Sequence, residues 1–220
     1  MKYFLLFFLS VALFSANAQV TGAVKMPKVA EQIAYLSDKY EGIRAYKNEM
    51  LQKHRPASSE IKDIDVRLVD QLAVNYAAAQ KIMDTHGFPG SDLVGIEATH
   101  KFWMMIQNFD KYPDFQSKVL RQMDRAVTEG NAEKVDFAYL YDRICINEGR
   151  PQHYGTQYFY DEDEKIYKLH PTDNIEHTNA ERAKMGLGSV ETYIAETNKN
   201  YKGTIKRAES KSKISHPSNL

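Results

Sequence analysis

The chain of 220 residues balances 29 Lys and Arg against 29 Asp and Glu. That neutrality speaks against a nucleic-acid partner, which would show a basic excess or stripe, and a lone cysteine, Cys145, rules out an intramolecular disulfide. The length suits one domain with a sizeable core.

Residues 1–18 have the order of an export signal: Lys2, an almost wholly apolar run from Tyr3 to Phe14, and the small-x-small step Ala16-Asn17-Ala18. The apolar run is too short to span a bilayer as a stable helix, and no cysteine follows it to carry a lipid anchor. The expected mature chain starts at Gln19, is periplasmic or secreted, and has no membrane span after cleavage. Residues 19–26 read as a loose leader.

Pro27 suits the first turn of a helix. Val29, Ile33, Leu36, Tyr40, Ile43, Tyr46 and Met50 repeat at three and four residues, an amphipathic stripe. His54-Arg55-Pro56 ends it, because proline disfavours helix at the preceding residue. Ser58 or Ser59 can cap a second helix, with Ile61, Ile64, Leu68, Leu72, Tyr76, Ala79 and Met83 inward, antiparallel to the first. Asn75 in its middle needs a partner for its amide. The segment His86-Gly87-Phe88-Pro89-Gly90 is a hard break, with Gly87 able to take a positive φ as the helix stop.

A third helix is expected from about Glu97 to Phe109, and a fourth from Pro113 to about Thr128. Asn131 is expected to cap a fifth, which Gly149 ends. Cys145 reads there as a small buried hydrophobe. Then the period changes. Tyr154–Tyr160 and Lys165–Leu169 are aromatic and β-prone around an acidic turn, which predicts a hairpin. Two shorter helices follow, over about 174–185 and 189–200. The fold class is therefore mainly α, a helical bundle with a small two-stranded β-hairpin. Residues 19–201 form its single domain, and 202–220, rich in Lys, Ser and Asn, form a disordered tail.

The chemistry concentrates around Gly149-Arg150-Pro151-Gln152-His153-Tyr154-Gly155-Thr156-Gln157, where two glycines and a proline constrain a polar loop. Gln152, Tyr154 and Gln157 are neutral donors and acceptors, suited either to a ligand or to the loop's own backbone. If this stretch were extended, Gln152 and Gln157 would face opposite ways, so they meet only if Gly155 bends it. Arg143 offers a planar fork for carboxylate or phosphate, or alternatively ties down the loop that follows, with Asp142 beside it. His86 and His100 match no zinc motif, and no nucleophile elbow or phosphate loop is present. No metal and no cofactor are expected.

Five motifs in order make the chain similar to a bacterial family of unknown function: Gly87-Phe88-Pro89-Gly90, Gln107-Asn108-Phe109-Asp110, Asp142-Arg143, Gln152-His153-Tyr154-Gly155-Thr156-Gln157, and Arg182-Ala183-Lys184-Met185-Gly186-Leu187. The resemblance covers roughly residues 60–190. It implies site positions at Gln107, Asn108, Asp142, Arg143, Gln152, Tyr154, Gln157 and Arg182, and no particular reaction. It also implies histidine where this chain has Asn108. Asparagine can hold similar hydrogen bonds but cannot titrate, which points away from acid–base catalysis. The reading that follows is a binding or interaction module of the cell envelope, its partner a small polar ligand or another envelope protein. The alternative is an envelope hydrolase in which Arg143 and Gln157 stabilise an anionic group. Gln107, Arg143, Gln152, Tyr154 and Gln157 should then surround one polar cavity, with Arg143 as its main cation.

The leader makes a separate prediction: intact-mass measurement of protein recovered from its native host should give a chain beginning at Gln19, and a retained Met1 would overturn it.

Overall fold

The structure is a computed structural model and describes residues 23–53 and 57–201. The expected leader at 1–18, the connection His54-Arg55-Pro56 and the tail at 202–220 lie outside the described residues. Within them the order is α1 (Pro27–Lys53), α2 (Ser58–His86), α3 (Ser91–Val94), α4 (Ile96–Gln107), α5 (Pro113–Thr128), α6 (Lys134–Asn147), β1 (Tyr158–Asp161), β2 (Ile166–Leu169) and α7 (Ile175–Lys184). A last helix, α8, covers residues 190–201. The chain is a helical bundle with one two-stranded antiparallel hairpin.

Helix α4 is the centre. It packs against α1, α2, α5 and α6, and most of its residues are buried, from Ala98 to Gln107. A helix apolar on nearly all sides has to be covered on nearly all sides. Phe102, Ile106 and the following Phe109 are fully enclosed, joined by Ile33 of α1, Val119 and Met123 of α5 and Leu140 of α6. Tyr76 stacks on Tyr112 and meets Phe109 and Phe115 edge-on, closing one end.

Helices α1 and α2 are antiparallel. Asn75 reaches Leu36, and Lys47 pairs with Asp65, so contacts advance along one helix as they retreat along the other. Asn75 has the partners its position requires: its Nδ2 donates to the Leu36 carbonyl at 3.2 Å, and its Oδ1 accepts from Gln71 at 2.8 Å. Gly87 takes φ 74° and its N–H closes onto Met83. Residues 23–26 are tied down just before α1, where Met26 N–H donates to the Leu93 carbonyl at 2.8 Å.

Three local expectations need correction. The cap of α2 is Ala57, not Ser58 or Ser59, and the Glu60 carboxylate reaches back to the Ala57 N–H at 2.9 Å. Asn131 does not cap α6, which starts at Lys134 after Glu133. Its backbone instead bridges other elements, with its carbonyl accepting from Ser91 and its N–H donating to Ala126. The first strand begins at Tyr158 rather than Tyr154, because His153, Tyr154 and Thr156 give their N–H groups to a side chain instead of a neighbouring strand. The hairpin turn manages without glycine: Lys165 adopts φ 56°, and Asp161 Oδ1 accepts from the N–H groups of Asp163 and Glu164.

A titratable pair links α4 to α6. His100 Nδ1 of α4 lies 2.7 Å from Asp136 of α6. Burial opposes the charged imidazole, but the Asp136 carboxylate, with Glu133 near, outweighs it and holds His100 above its ordinary 6.5. A raised native value means that this stabilisation is complete below pH 6.5 and is lost as pH climbs through that native value. His170 moves the other way, lowered by burial and by Arg143, so its effect falls below 6.5. Melting temperature should therefore decline as pH rises above 6.5 in the wild type. His100→Gln should flatten that decline, as scanning calorimetry across pH 6–8.5 would show.

Candidate functional site

The 152–157 loop is organised by a carboxylate from α6. Asp142 is fully buried and accepts four hydrogen bonds, all from the loop. Oδ1 takes the N–H groups of His153 at 2.7 Å and Tyr154 at 2.9 Å; Oδ2 takes the N–H and the hydroxyl of Thr156, both at 2.9 Å. Burial pushes the carboxyl above its ordinary range, and the donors from Tyr154, Thr156 and His153 work against that push.

A cation from α7 grips the same loop from the other side. Arg182, 2 % exposed, donates through Nη1 to the carbonyls of Tyr154 at 2.8 Å and Gly155 at 3.0 Å, and through Nε to Gly188. Its guanidinium also lies 5.1 Å from the Tyr193 ring centroid, a cation–π contact. The Tyr193 hydroxyl donates to the Thr156 carbonyl at 3.0 Å. Gly155 is required here. Its φ is 59°, and a Cβ would lie 3.1 Å from Val190 and 3.2 Å from Thr178. The bend it allows brings Gln152 and Gln157 together, as the spacing required.

Gln152 acts as a substitute peptide. Its Oε1 accepts from the Gln157 N–H at 2.8 Å, and its Nε2 donates to the carbonyls of Gln157 at 3.0 Å and His170 at 2.7 Å. The Gln157 amide in turn donates to the Thr156 hydroxyl at 3.1 Å. Tyr154 packs edge-on against Tyr141 and His153. Burial, then Glu181 and other nearby groups, pushes its hydroxyl up to about 12.

Asp142, Gln152, Tyr154, Gln157 and Arg182 are thus brought into one network, and its cation is Arg182. Arg143 engages a different carboxylate. Its Nε donates to Asp110 at 2.8 Å, its Nη2 pairs with the other Asp110 oxygen, and Asn147 Nδ2 donates to Asp110 at 3.0 Å. Arg143 still acts electrostatically on His170, so the two sets adjoin. Gln107 is buried farther along α4 between two donors, and with its amide oriented so that the oxygen faces them it accepts from the Trp103 indole and the Leu140 N–H at 3.0 Å each. Asn108 is half-buried at the end of α4 and donates to the Met104 carbonyl at 2.8 Å. Cys145 is buried.

An open cleft of about 480 Å³ lies elsewhere, between the α5–α6 turn and the end of α7, lined by residues such as Val127, Glu133, Lys134, Ala183 and Met185. None of the loop residues borders it.

The sequence reading did not connect His153 with His177 and Glu181, whose ligand atoms all lie within 4.8 Å of one another. His177 and Glu181 are four apart on one face of α7, a signal that was readable. That His153 joins them depends on how the loop folds against α7.

Fold and loop together define a mainly helical domain in which a buried acid and a buried base hold one irregular loop from opposite sides. The chain belongs to the family described as "Family of unknown function (DUF6624)", which matches residues 59–206. No curated protein and no solved structure matches it.

Asp142→Asn would turn an amide NH₂ toward loop donors and leave buried N–H or O–H groups unpaired at about 1–3 kcal/mol each. Two such losses predict a destabilisation of roughly 2–6 kcal/mol, read from urea unfolding midpoints at constant slope. A change under about 0.5 kcal/mol would show that the carboxylate does not hold the loop.

Proposed function

We propose that the protein is an exported binding module of the cell envelope. We further propose that its binding face is the outer side of the 152–157 loop together with α7. One observation carries this reading: Asp142 and Arg182 use their hydrogen-bonding groups on the loop backbone. They are positioning groups for whatever the loop presents. A loop held this firmly from behind is preorganised, and preorganisation lowers the ordering cost that binding otherwise carries.

The outward side chain of the loop is His153, 35 % exposed and beside Glu181, with Tyr141 and His177 around its ring. Polar and aromatic groups on a rigid backbone suit a small polar ligand or a polar patch on an envelope protein. The hydrolase alternative draws less support. Its two anion-stabilising groups are engaged separately, Arg143 by Asp110 and Gln157 by Thr156. Asn108 supplies no titratable group where the family resemblance implies histidine.

A thermal-shift screen of metal ions, nucleotides, sugars and peptidoglycan fragments tests the reading. A ligand at a hundred times its Kd adds about 2.7 kcal/mol to stability, which for a chain of this size raises Tm by roughly 5–10 °C. At least one class should do this for the wild type and fail to do it for His153→Ala. Shifts that survive His153→Ala, or none across the screen, would defeat the proposal. Arg143→Ala should lower Tm in the absence of any ligand yet leave the shift intact.

A further inference from the structure

Two imidazoles and a carboxylate meet at the outer side of the locked loop. His153 comes from the loop; His177 and Glu181 come from successive turns of α7 and share a helical face. His153 Nε2 stands 3.7 Å from Glu181 Oε2, the His153 and His177 rings are 5.5 Å apart between centroids, and the three ligand atoms lie within 4.8 Å of one another. Around a tetrahedral zinc ion with bonds of about 2.0–2.1 Å, ligand atoms sit roughly 3.3 Å apart. The gap closes by small rotations of side chains at the surface, where His177 is exposed and His153 and Glu181 are half-buried.

We infer that His153, His177 and Glu181 form a binding site for a divalent transition-metal ion, zinc above all. This rests on the reading of the loop and α7 as a binding face, and it names the ligand class.

The donor set selects the ion. Two imidazole nitrogens and one carboxylate suit zinc and its first-row neighbours, whereas calcium and magnesium want all-oxygen shells. Three protein ligands leave a fourth position open to water or to a group from a partner.

The buried network sets the spacing. Arg182, next to Glu181 in sequence, grips the carbonyls of Tyr154 and Gly155, next to His153. The N–H of His153 itself is held by Asp142. The N–H of His177 donates to the Asn174 side chain at 2.9 Å, so an ion would find all three backbone positions already fixed. Lys184 pairs with the other oxygen of Glu181 at 2.6 Å and is largely exposed, so it can swing aside.

The test uses untagged full-length protein, stripped with EDTA and titrated calorimetrically with zinc chloride, then with magnesium chloride. About one zinc ion per chain should bind, release protons and raise Tm, while magnesium should not bind. His177→Ala and Glu181→Gln, both at the surface of α7, should keep the Tm of the stripped wild type and weaken zinc binding by at least about tenfold. Cobalt loading of the wild type should give the intense visible bands of a four-coordinate ion, absent in His177→Ala. Failure of zinc to bind, or binding unchanged in both variants, overturns the inference. If zinc fails while another ligand still needs His153, the metal assignment falls and the binding face stands. If nothing requires His153, both fall.

Discussion

The peptide unit joining Gly155 to Thr156 lies between two buried charges. Its carbonyl accepts from Arg182 and its N–H donates to Asp142. The neighbouring Tyr154 repeats the pattern, with its N–H on Asp142 and its carbonyl on Arg182. The carboxylate and the guanidinium have no direct contact to stabilise them; the loop backbone passes between them and solvates both. In a low-dielectric interior such aligned dipoles reinforce one another, and an unpaired member is costly. Removing either charge leaves loop groups unsatisfied and the other charge with less compensation. Helix α6, the loop and α7 are therefore fixed as one unit.

Helix α6 works in two directions. Asp142 and Arg143 are consecutive, and consecutive helical residues point about 100° apart. Asp142 faces the loop, while Arg143 faces the turn after α4, where Asp110 receives it together with Asn147. Gln116 of α5 donates to the Ile106 carbonyl at 3.0 Å, in the last turn of α4. Gln107 meets Leu140 of α6 and the Trp103 indole. The end of the central helix is thus held by side chains from α5 and α6, and the helix that holds it also holds the loop. The residues that carry the family resemblance, Asp110 with Arg143 and Asp142 with the 152–157 loop, are partners inside the molecule.

What the sequence made legible was local. Pro27 and Pro113 mark helix starts because their fixed φ and missing N–H fit a first turn. Gly87 marks a stop because the chain there needs positive φ. The need of the Asn75 amide for partners and the bend at Gly155 could be anticipated because each follows from one residue's own chemistry or geometry. What remained illegible required knowing which distant segments meet. The sequence points to Arg143 as the main cation, beside the loop in the chain; only the packing of α7 against the loop decides that Arg182 serves it. Asn131 carries a preferred capping side chain, yet its backbone bridges Ser91 and Ala126, a tertiary contact that moved the helix start to Lys134. The pairing of His153 with His177 and Glu181 depends on the same loop–helix contact, so the i, i+4 pair on α7 stood without its third member.

Stability alone does not explain why charges hold this loop. Buried ion pairs replaced by apolar groups of similar volume are often neutral or more stable. An apolar filler could not serve here, because His153, Tyr154 and Thr156 present N–H groups inward at spacings that no strand or helix meets, and each buried donor needs an acceptor. A carboxylate, with two oxygens and several lone pairs, can collect three backbone donors and a hydroxyl at one point. The chain therefore keeps an irregular, fully satisfied loop where its own β-prone sequence would otherwise extend the hairpin by one more turn. Extension would have turned alternate side chains to alternate faces and carried His153 along a strand edge. The bend at Gly155 instead sets the His153 ring beside α7, 5.5 Å from the His177 ring, with its own N–H fixed at 2.7 Å from Asp142. Sites that recognise ligands fail when their supporting shell leaves side chains about 1 Å loose. Here the supporting shell is the charged pair itself, and the position it fixes most directly is that of the residue facing out.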